Sequence, residues 1–266
     1  MDNGHDGQLD GRWALITGAS GGIGADLAAV LAEKKCNLVL AARSESKLQE
    51  VGRDLTAKHG VEVRVVPKDL SLQEGPKELH EYVTEEGLTV DFLLNNAGLG
   101  SVGPTLDTPW ERHEAMIVLN VRALLHLSWL FLPQMISRDS GRILNMASLA
   151  AFQPMPGFAS YAATKSFVLH LTEALSVELA GTNVRVSALC PGFTRTDFWE
   201  TAGSQGNWFR KQLTVDSRGV AEYGVRLMLA GRPVGIPGLI NKFVAFSNRL
   251  GPRRLSARIA QLLMKE

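Results

Sequence analysis

Tyr161 and Lys165 stand four residues apart in the run Ser160-Tyr-Ala-Ala-Thr-Lys165. On a helix this spacing brings both side chains to one face, a turn apart. An ammonium beside a phenol favours the phenolate, so the lysine is expected to lower the tyrosine pKa towards the range of a working proton donor or acceptor. Alone, such a pair is also what a solvated helix face carries. Here Ser148 precedes the tyrosine by thirteen residues and a glycine-rich turn lies near the N-terminus. In that company the pair reads as a proton-transfer site.

The turn is Leu15-Ile-Thr-Gly18-Ala-Ser-Gly-Gly22-Ile-Gly24. Glycines at 18, 21, 22 and 24 let backbone approach a pyrophosphate, and the helix that follows presents free N–H groups and a positive dipole end. Ser20 and Ile23 share the turn and belong with Gly18, Gly22 and Gly24 to the cofactor-binding set. The second strand ends in Leu40-Ala-Ala-Arg43-Ser44. An NAD site carries an acid near this place to accept the ribose hydroxyls. Here Ala42 occupies it and Arg43 follows. A guanidinium grips a 2′-phosphate through charge-assisted hydrogen bonds, with Ser20 and Ser44 as further donors. The cofactor expected is NADP(H).

Stepping outward, short apolar runs at 13–17, 37–41, 61–66, 90–94, 142–146 and 184–189 have the composition of strands buried on both faces. Helical patterns separate them at 23–35, 44–59, 73–87, 109–136 and 159–180, with Gly60 and Gly181 expected at two helix ends. This alternation predicts an α/β fold: a doubly wound parallel sheet of Rossmann type in three α/β/α layers. A single domain is expected over 1–266. It would have a flexible N-terminus at 1–10, a substrate-loop region at 195–215 and a C-terminal extension at 238–266.

Composition sets bounds on partners. A content of 45 % hydrophobic residues in 266 supports a large core. Net charge is +1, which gives no reason to expect nucleic acid. Cys36 and Cys190 read as buried small hydrophobes in a reducing, cytoplasmic compartment rather than as metal ligands, and no metal is called for. The polar start lacks the apolar core of a secretory signal, and no run of eighteen apolar residues suggests a membrane span.

The ordered motifs resemble those of the short-chain dehydrogenase/reductase family. They are Thr17-Gly-x-x-x-Gly-x-Gly24, Asp69-Leu70, Asn95-Asn-Ala-Gly98, Asn120, Ser148, Tyr161, Lys165 and Pro191-Gly192, spread over about seven tenths of the chain. The tail is similar to a bacterial, DltE-like branch. The resemblance implies that Tyr161 is the general acid for carbonyl reduction and the base for oxidation. Lys165 would tune it and hold the nicotinamide ribose. Ser148 would bind the substrate oxygen, and Asn120, at a helix irregularity, would position a proton-relay water. Asp69 would accept from the adenine amino group beside the Leu70 amide. Asn96 and Gly98 would line the adenosine, with Asn95 tying strands together. Pro191, Gly192 and Thr194 or Thr196 would border the nicotinamide. The implied activity is NADP(H)-dependent interconversion of a ketone or aldehyde and an alcohol. A dinucleotide-sensing regulator without turnover is the alternative, although such proteins usually lose part of the Ser-Tyr-Lys set.

Substrate walls are expected at 99–102, 149–158 and 193–208, which supply Phe152, Met155, Phe158, Phe198, Trp199 and Trp208 with few charges between. Such a pocket suits an apolar carbonyl or alcohol. The long helices, with Leu124, Leu127, Trp129, Leu130, Phe167, Leu171 and Leu175, could pair into a homodimer or homotetramer. From Gly238 onward six basic residues face one acid, a net +5 that leaves −4 elsewhere. Leu255, Ile259, Leu262 and Leu263 repeat at helical spacing beside the basic residues. That pattern either docks on the protein itself or a neighbouring subunit, or lies on anionic lipid. Docking is the favoured reading.

Overall fold

The runs of branched apolar residues become strands of one sheet. In chain order these are β1 (Trp13–Thr17), β2 (Asn37–Ala42), β3 (Val63–Pro67), β4 (Val90–Asn95), β5 (Gly141–Met146) and β6 (Val184–Leu189). Two short strands, β7 (Thr194–Arg195) and β8 (Val215–Asp216), form a separate parallel pair, and β9 (Val234–Gly235) completes the main sheet. The strand order is β3-β2-β1-β4-β5-β6-β9, with every neighbour parallel. These facts come from a computed structural model that describes residues 9–204, 212–248 and 252–264.

Helices cover both faces because both faces are apolar. On one side lie α1 (Gly22–Glu33), α2 (Glu45–His59) and, late in the chain, α8 (Ser217–Leu229). Leu27, Leu31, Leu48 and Val225 meet Ile16, Leu38 and Leu40 there. On the other side lie α3 (Gly75–Glu85), α5 (Leu124–Ser137) and α6 (Ala159–Glu178), where Leu79, Leu127, Phe131 and Met135 pack on Leu15, Leu93 and Ile143. This is the three-layer Rossmann-type arrangement. The strand order reverses between β1 and β4, so a crevice opens beyond their carboxyl ends.

The helix expected over 109–136 is continuous but not uniform. An α-helical start, α4 (Trp110–Ile117), passes through a π-helical turn at Val118–Ala123 into α5. By length and composition Trp110–Ser137 could cross a membrane. Its Leu124, Leu127, Phe131 and Met135 are instead buried under the sheet.

Two expectations at element ends are corrected. Gly60 does end α2 in the left-handed region at φ +68°, but α6 stops at Glu178, before Gly181, which does not take a positive φ. Leu9, within the segment expected to be flexible, is buried in the core, and the Gly11 amide donates to the Lys35 carbonyl at 3.1 Å. Residues 1–8 lie outside the described residues. The chain beyond β7 carries α7 (Phe198–Thr201), α8, α9 (Leu239–Ser247) and α10 (Arg253–Met264). Both cysteines are fully buried and free, as expected of small hydrophobes.

Candidate active site

The glycine turn is built by close approach. A Cβ at Gly24 would lie 2.2 Å from the Gly18 carbonyl oxygen, so α1 can start against the turn only without a side chain there. Gly18 itself sits at φ +67°, against the Ala97 backbone. No side chain caps α1, which leaves its first N–H groups directed at whatever occupies the turn.

Thr17 ties this turn to the end of β4. Its hydroxyl donates to the Leu94 carbonyl at 3.3 Å and accepts from the Asn96 and Ala97 amides, both at 3.0 Å. The Asn96 side chain donates to the carbonyls of Thr17 (3.0 Å) and Gly18 (3.2 Å). Asn96 therefore spends its side-chain donors shaping the nucleotide turn, and with Gly98 it lines the cavity beside that turn. Asn95 does tie strands: its side chain donates to Asn145 Oδ1 (2.9 Å) on β5 and to Ser128 Oγ (3.1 Å) on α5.

At the end of β2, Arg43 is exposed on the rim of a cavity of about 920 Å³, a size in the range of ligand sites. Ser20, Ser44, Asp69 and Leu70 border the same cavity. Lys47 borders it too, and sequence reading missed this residue although it stands one helical turn beyond Ser44. Asp69 accepts from the Ser71 amide (2.9 Å) and hydroxyl (2.6 Å). Burial pushes its carboxyl up, but the two bonds from Ser71 and the charge of Arg43 outweigh this and hold it below the ordinary value.

Asn120 sits in the π-helical turn and is fully buried. Its amide donates to the Leu99 carbonyl (2.9 Å) and to Thr164 Oγ1 (3.1 Å), and its oxygen accepts from the Leu99 amide (2.8 Å). All three bonds stay within the protein, so the side chain clamps the loop after β4 onto α6. A Cβ on Gly98 would come 3.2 Å from Asn120 Oδ1 and 3.4 Å from Lys165 Nζ, which places all three together.

Ser148 follows β5 in extended backbone, and its hydroxyl accepts from the Ala150 amide at 3.1 Å. Tyr161 and Lys165 enter from α6, both buried. The Lys165 ammonium donates to the Met146 carbonyl at 2.7 Å and lies 5.7 Å from the Tyr161 ring centre. The expected lowering of the phenol pKa is not what dominates. Burial pushes Tyr161 up to about 12, with only the Ser148 hydroxyl pulling it back. Burial also brings Lys165 down to about 8, opposed by the Cys190 sulfur. Desolvation outweighs the pairing because both charges are removed from water.

That strain is measurable. Lys165 titrates near 8 when folded and near 10.5 when free, so between these values the unfolded chain binds more protons and stability rises with pH. Lys165→Met is expected to raise Tm at pH 7 by about 4 °C, the buried ammonium outweighing the lost hydrogen bond by roughly 1–2 kcal/mol. The gain should shrink as pH climbs from 8 towards 10.5. Melts at several pH values decide it, and an increment independent of pH would refute the strain.

Aromatic rings wall the substrate end. Phe158 stacks on Tyr161 with centroids 4.2 Å apart, Phe198 lies 5.4 Å from Tyr161, and Trp199 lies 5.7 Å from Phe158. Met155 and Leu99 join them. Phe152 does not border the cavity: at the end of the short 3-10 turn Leu149–Phe152 it is half-buried against a separate apolar cluster that includes Val168, Leu169 and Cys190. Trp208 lies outside the described residues. Pro191, Gly192, Thr194 and Thr196 border the cavity, with Thr194 Oγ1 donating to the Gly192 carbonyl at 3.1 Å and Thr196 Oγ1 accepting from the Phe198 amide at 3.3 Å.

Sequence reading also missed the contribution of the tail. Ile240, Asn241 and Val244 of α9 and Ala260 of α10 line the cavity. Asn241 donates to the Pro237 carbonyl at 2.7 Å and fills the place of a Gly192 side chain. The only sequence signal was an amide interrupting the apolar run after Gly238. The tail thus contacts its own domain, but through Ala245 and Ala260 rather than through the apolar stripe on which the docking expectation rested: Leu255, Ile259 and Leu262 stay exposed.

The chain is similar to known proteins over most of its length. The family described as short chain dehydrogenase matches residues 12–207. The chain is 34 % identical over 186 residues to the 7beta-hydroxysteroid dehydrogenase of Mediterraneibacter gnavus, covering 70 % of each. A short-chain dehydrogenase from Sphingobium yanoikuyae in complex with NADPH superposes with a TM-score of 0.81 at 30 % identity, covering 90 % of this chain and 93 % of that one. A short chain dehydrogenase/reductase from Burkholderia phymatum in complex with NAD gives 0.81 at 27 % identity, covering 95 % and 96 %.

Proposed function

The chain belongs to the short-chain dehydrogenase family, and from that premise we propose that it is an NADP(H)-dependent oxidoreductase that interconverts an apolar ketone or aldehyde and the corresponding alcohol. One observation carries the reading. Ser148, Tyr161 and Lys165 line the same cavity that is bounded, at its other end, by the glycine turn and Arg43. A nicotinamide dinucleotide fits this cradle, whose bare Gly24 and uncapped α1 suit a pyrophosphate. When bound, it supplies or accepts the hydride.

The protein's own groups do the rest. Arg43 and Ser44, with Lys47 beside them, hold a 2′-phosphate through charge-assisted hydrogen bonds. Tyr161, protonated at neutral pH because burial holds its pKa high, gives its proton to the carbonyl oxygen during reduction. The Ser148 hydroxyl donates to that oxygen as negative charge develops. Lys165, titrating near 8, returns a proton to the phenolate side of the site. In oxidation the proton moves the other way.

Apolar walls of Phe158, Phe198, Trp199 and Met155 support a lipophilic substrate, as does similarity to a hydroxysteroid dehydrogenase. A screen of NADPH oxidation against lipophilic ketones, aldehydes and acyl-chain carbonyls should show saturable turnover. Tight NADPH quenching with no turnover across that panel would favour the regulator instead.

Assembly through the long helices is part of this reading, with corrected faces. Leu124 and Leu127 are buried in the core, and Leu130, Leu171 and Leu175 pack against it. Trp129, 66 % exposed, remains on the surface with Phe167, and Leu125 and Ile136 join it. A homodimer or homotetramer would cover this face, and light scattering measures the mass.

A further inference from the structure

The apolar stripe of α10 faces outward. Leu255, Ile259 and Leu262 recur one or two turns apart and are half or more exposed, while Ala260 is buried at 1 %. A helix that merely covers a core does the reverse. In α9 the same occurs: Leu239 is 82 % exposed and Phe243 71 %, with Ile240 and Phe246 also open, whereas Ala245 is buried. The two helices are thus held to the domain by their small residues and present their large apolar residues to the surroundings. Exposed apolar surface of this extent marks an interaction site.

Basic residues frame it. Lys242, Arg254 and Arg258 are exposed on the same two helices, and 238–265 contain no aspartate or glutamate. The rest of the chain is net negative, so the basic charge is concentrated on this face. We propose that α9 and α10 form a docking surface for an anionic lipid membrane, the apolar residues entering the headgroup boundary and the basic ones meeting lipid phosphates. A second copy of the chain is a poorer occupant. In a two-fold contact the patch meets itself, and Lys242, Arg254 and Arg258 would face their own like charges with no acid within 238–265 to relieve them.

The placement has a consequence for access. Ile240 both lines the cavity and is exposed, so the edge of the cavity runs along the docking helix. A molecule dissolved in the bilayer would meet that edge directly. The docking surface does not depend on the redox reading, since membrane partition is measured without turnover.

The test is co-sedimentation of the full-length protein with vesicles of phosphatidylcholine alone and of a phosphatidylcholine–phosphatidylglycerol mixture. Binding is expected to the anionic vesicles and to weaken in high salt. Lys242→Glu and Arg258→Glu should each weaken partition about five-fold or more. Phe243→Asp should weaken it further by removing inserted apolar area. All three positions are exposed, and unchanged melting temperatures confirm intact folds. No binding, or equal binding to both vesicle types, would overturn the proposal. So would a loss of self-association in these variants without any effect on vesicle partition, which would assign the face to a second copy.

Discussion

Tyr161→Phe is expected to lower turnover by about 10²–10⁴-fold while leaving NADPH binding nearly unchanged. The substitution removes one hydroxyl and keeps the ring. That ring is held by stacking on Phe158 at 4.2 Å and by Phe198 at 5.4 Å, so the cavity wall should survive. Ser148 keeps its bond from the Ala150 amide and stays in place. What disappears is the proton donor at the carbonyl oxygen. Steady-state rates with the best carbonyl substrate, beside fluorescence titration with NADPH, separate the two effects. Activity equal to wild type would remove Tyr161 from the mechanism. The pH dependence adds a second check. A phenol raised to about 12 is in the donor form throughout the neutral range, whereas alcohol oxidation needs the phenolate, so the oxidative rate should climb with pH.

The second large effect is on cofactor choice. Arg43→Asp is expected to shift the NADPH-to-NADH preference by about 10²–10³-fold towards NADH. Losing a charge-assisted contact accounts for roughly 1.5–3 kcal/mol, and a carboxylate in its place repels a 2′-phosphate while accepting ribose hydroxyls. Arg43 is exposed at the cavity rim, so the change should not disturb the fold. Lys47 remains on the same rim and should preserve a residual NADPH affinity. The ratio of kcat/KM values for the two cofactors is the measurement. An unchanged ratio would mean that Arg43 does not contact the phosphate.

Much of this was legible in the chain because the signals are local. Branched apolar runs alternating with helical periods specified the parallel sheet, whereas its strand order, reversing between β1 and β4, is set by tertiary packing. The Tyr161–Lys165 spacing placed two groups on one face of α6 because a helix makes it so. Glycines at 18 and 24 announced a tight approach that the structure shows in atomic terms. Arg43 was found by position, one residue past the end of β2.

Other features were not legible, for a common reason. The roles of Asn96 and Asn120 depend on partners distant in sequence: Thr17 and Gly18 for one, Leu99 and Thr164 for the other. An asparagine read alone is a donor and an acceptor, and only the fold says which neighbour takes them. Helical spacing reveals the charge beside Tyr161 but not the loss of water around it, so burial overturns the direction that the pairing alone implies. Phe152 leaves the substrate wall because it packs, half-buried, against a second apolar cluster whose members lie far along the chain.

The sequence by itself determined the sheet, the nucleotide turn and the identity of the Ser148, Tyr161 and Lys165 set, since each rests on spacing within a few residues or on a fixed order of motifs. Tertiary structure alone decided that burial governs the electrostatics of that set. It also decided that the tail closes one edge of the cavity, and that Leu255, Ile259 and Leu262 point outward rather than in. An amphipathic period says that a helix has an apolar face. Which way that face turns depends on the small residues that let the helix dock, here Ala245 and Ala260, and on surfaces contributed from far along the chain.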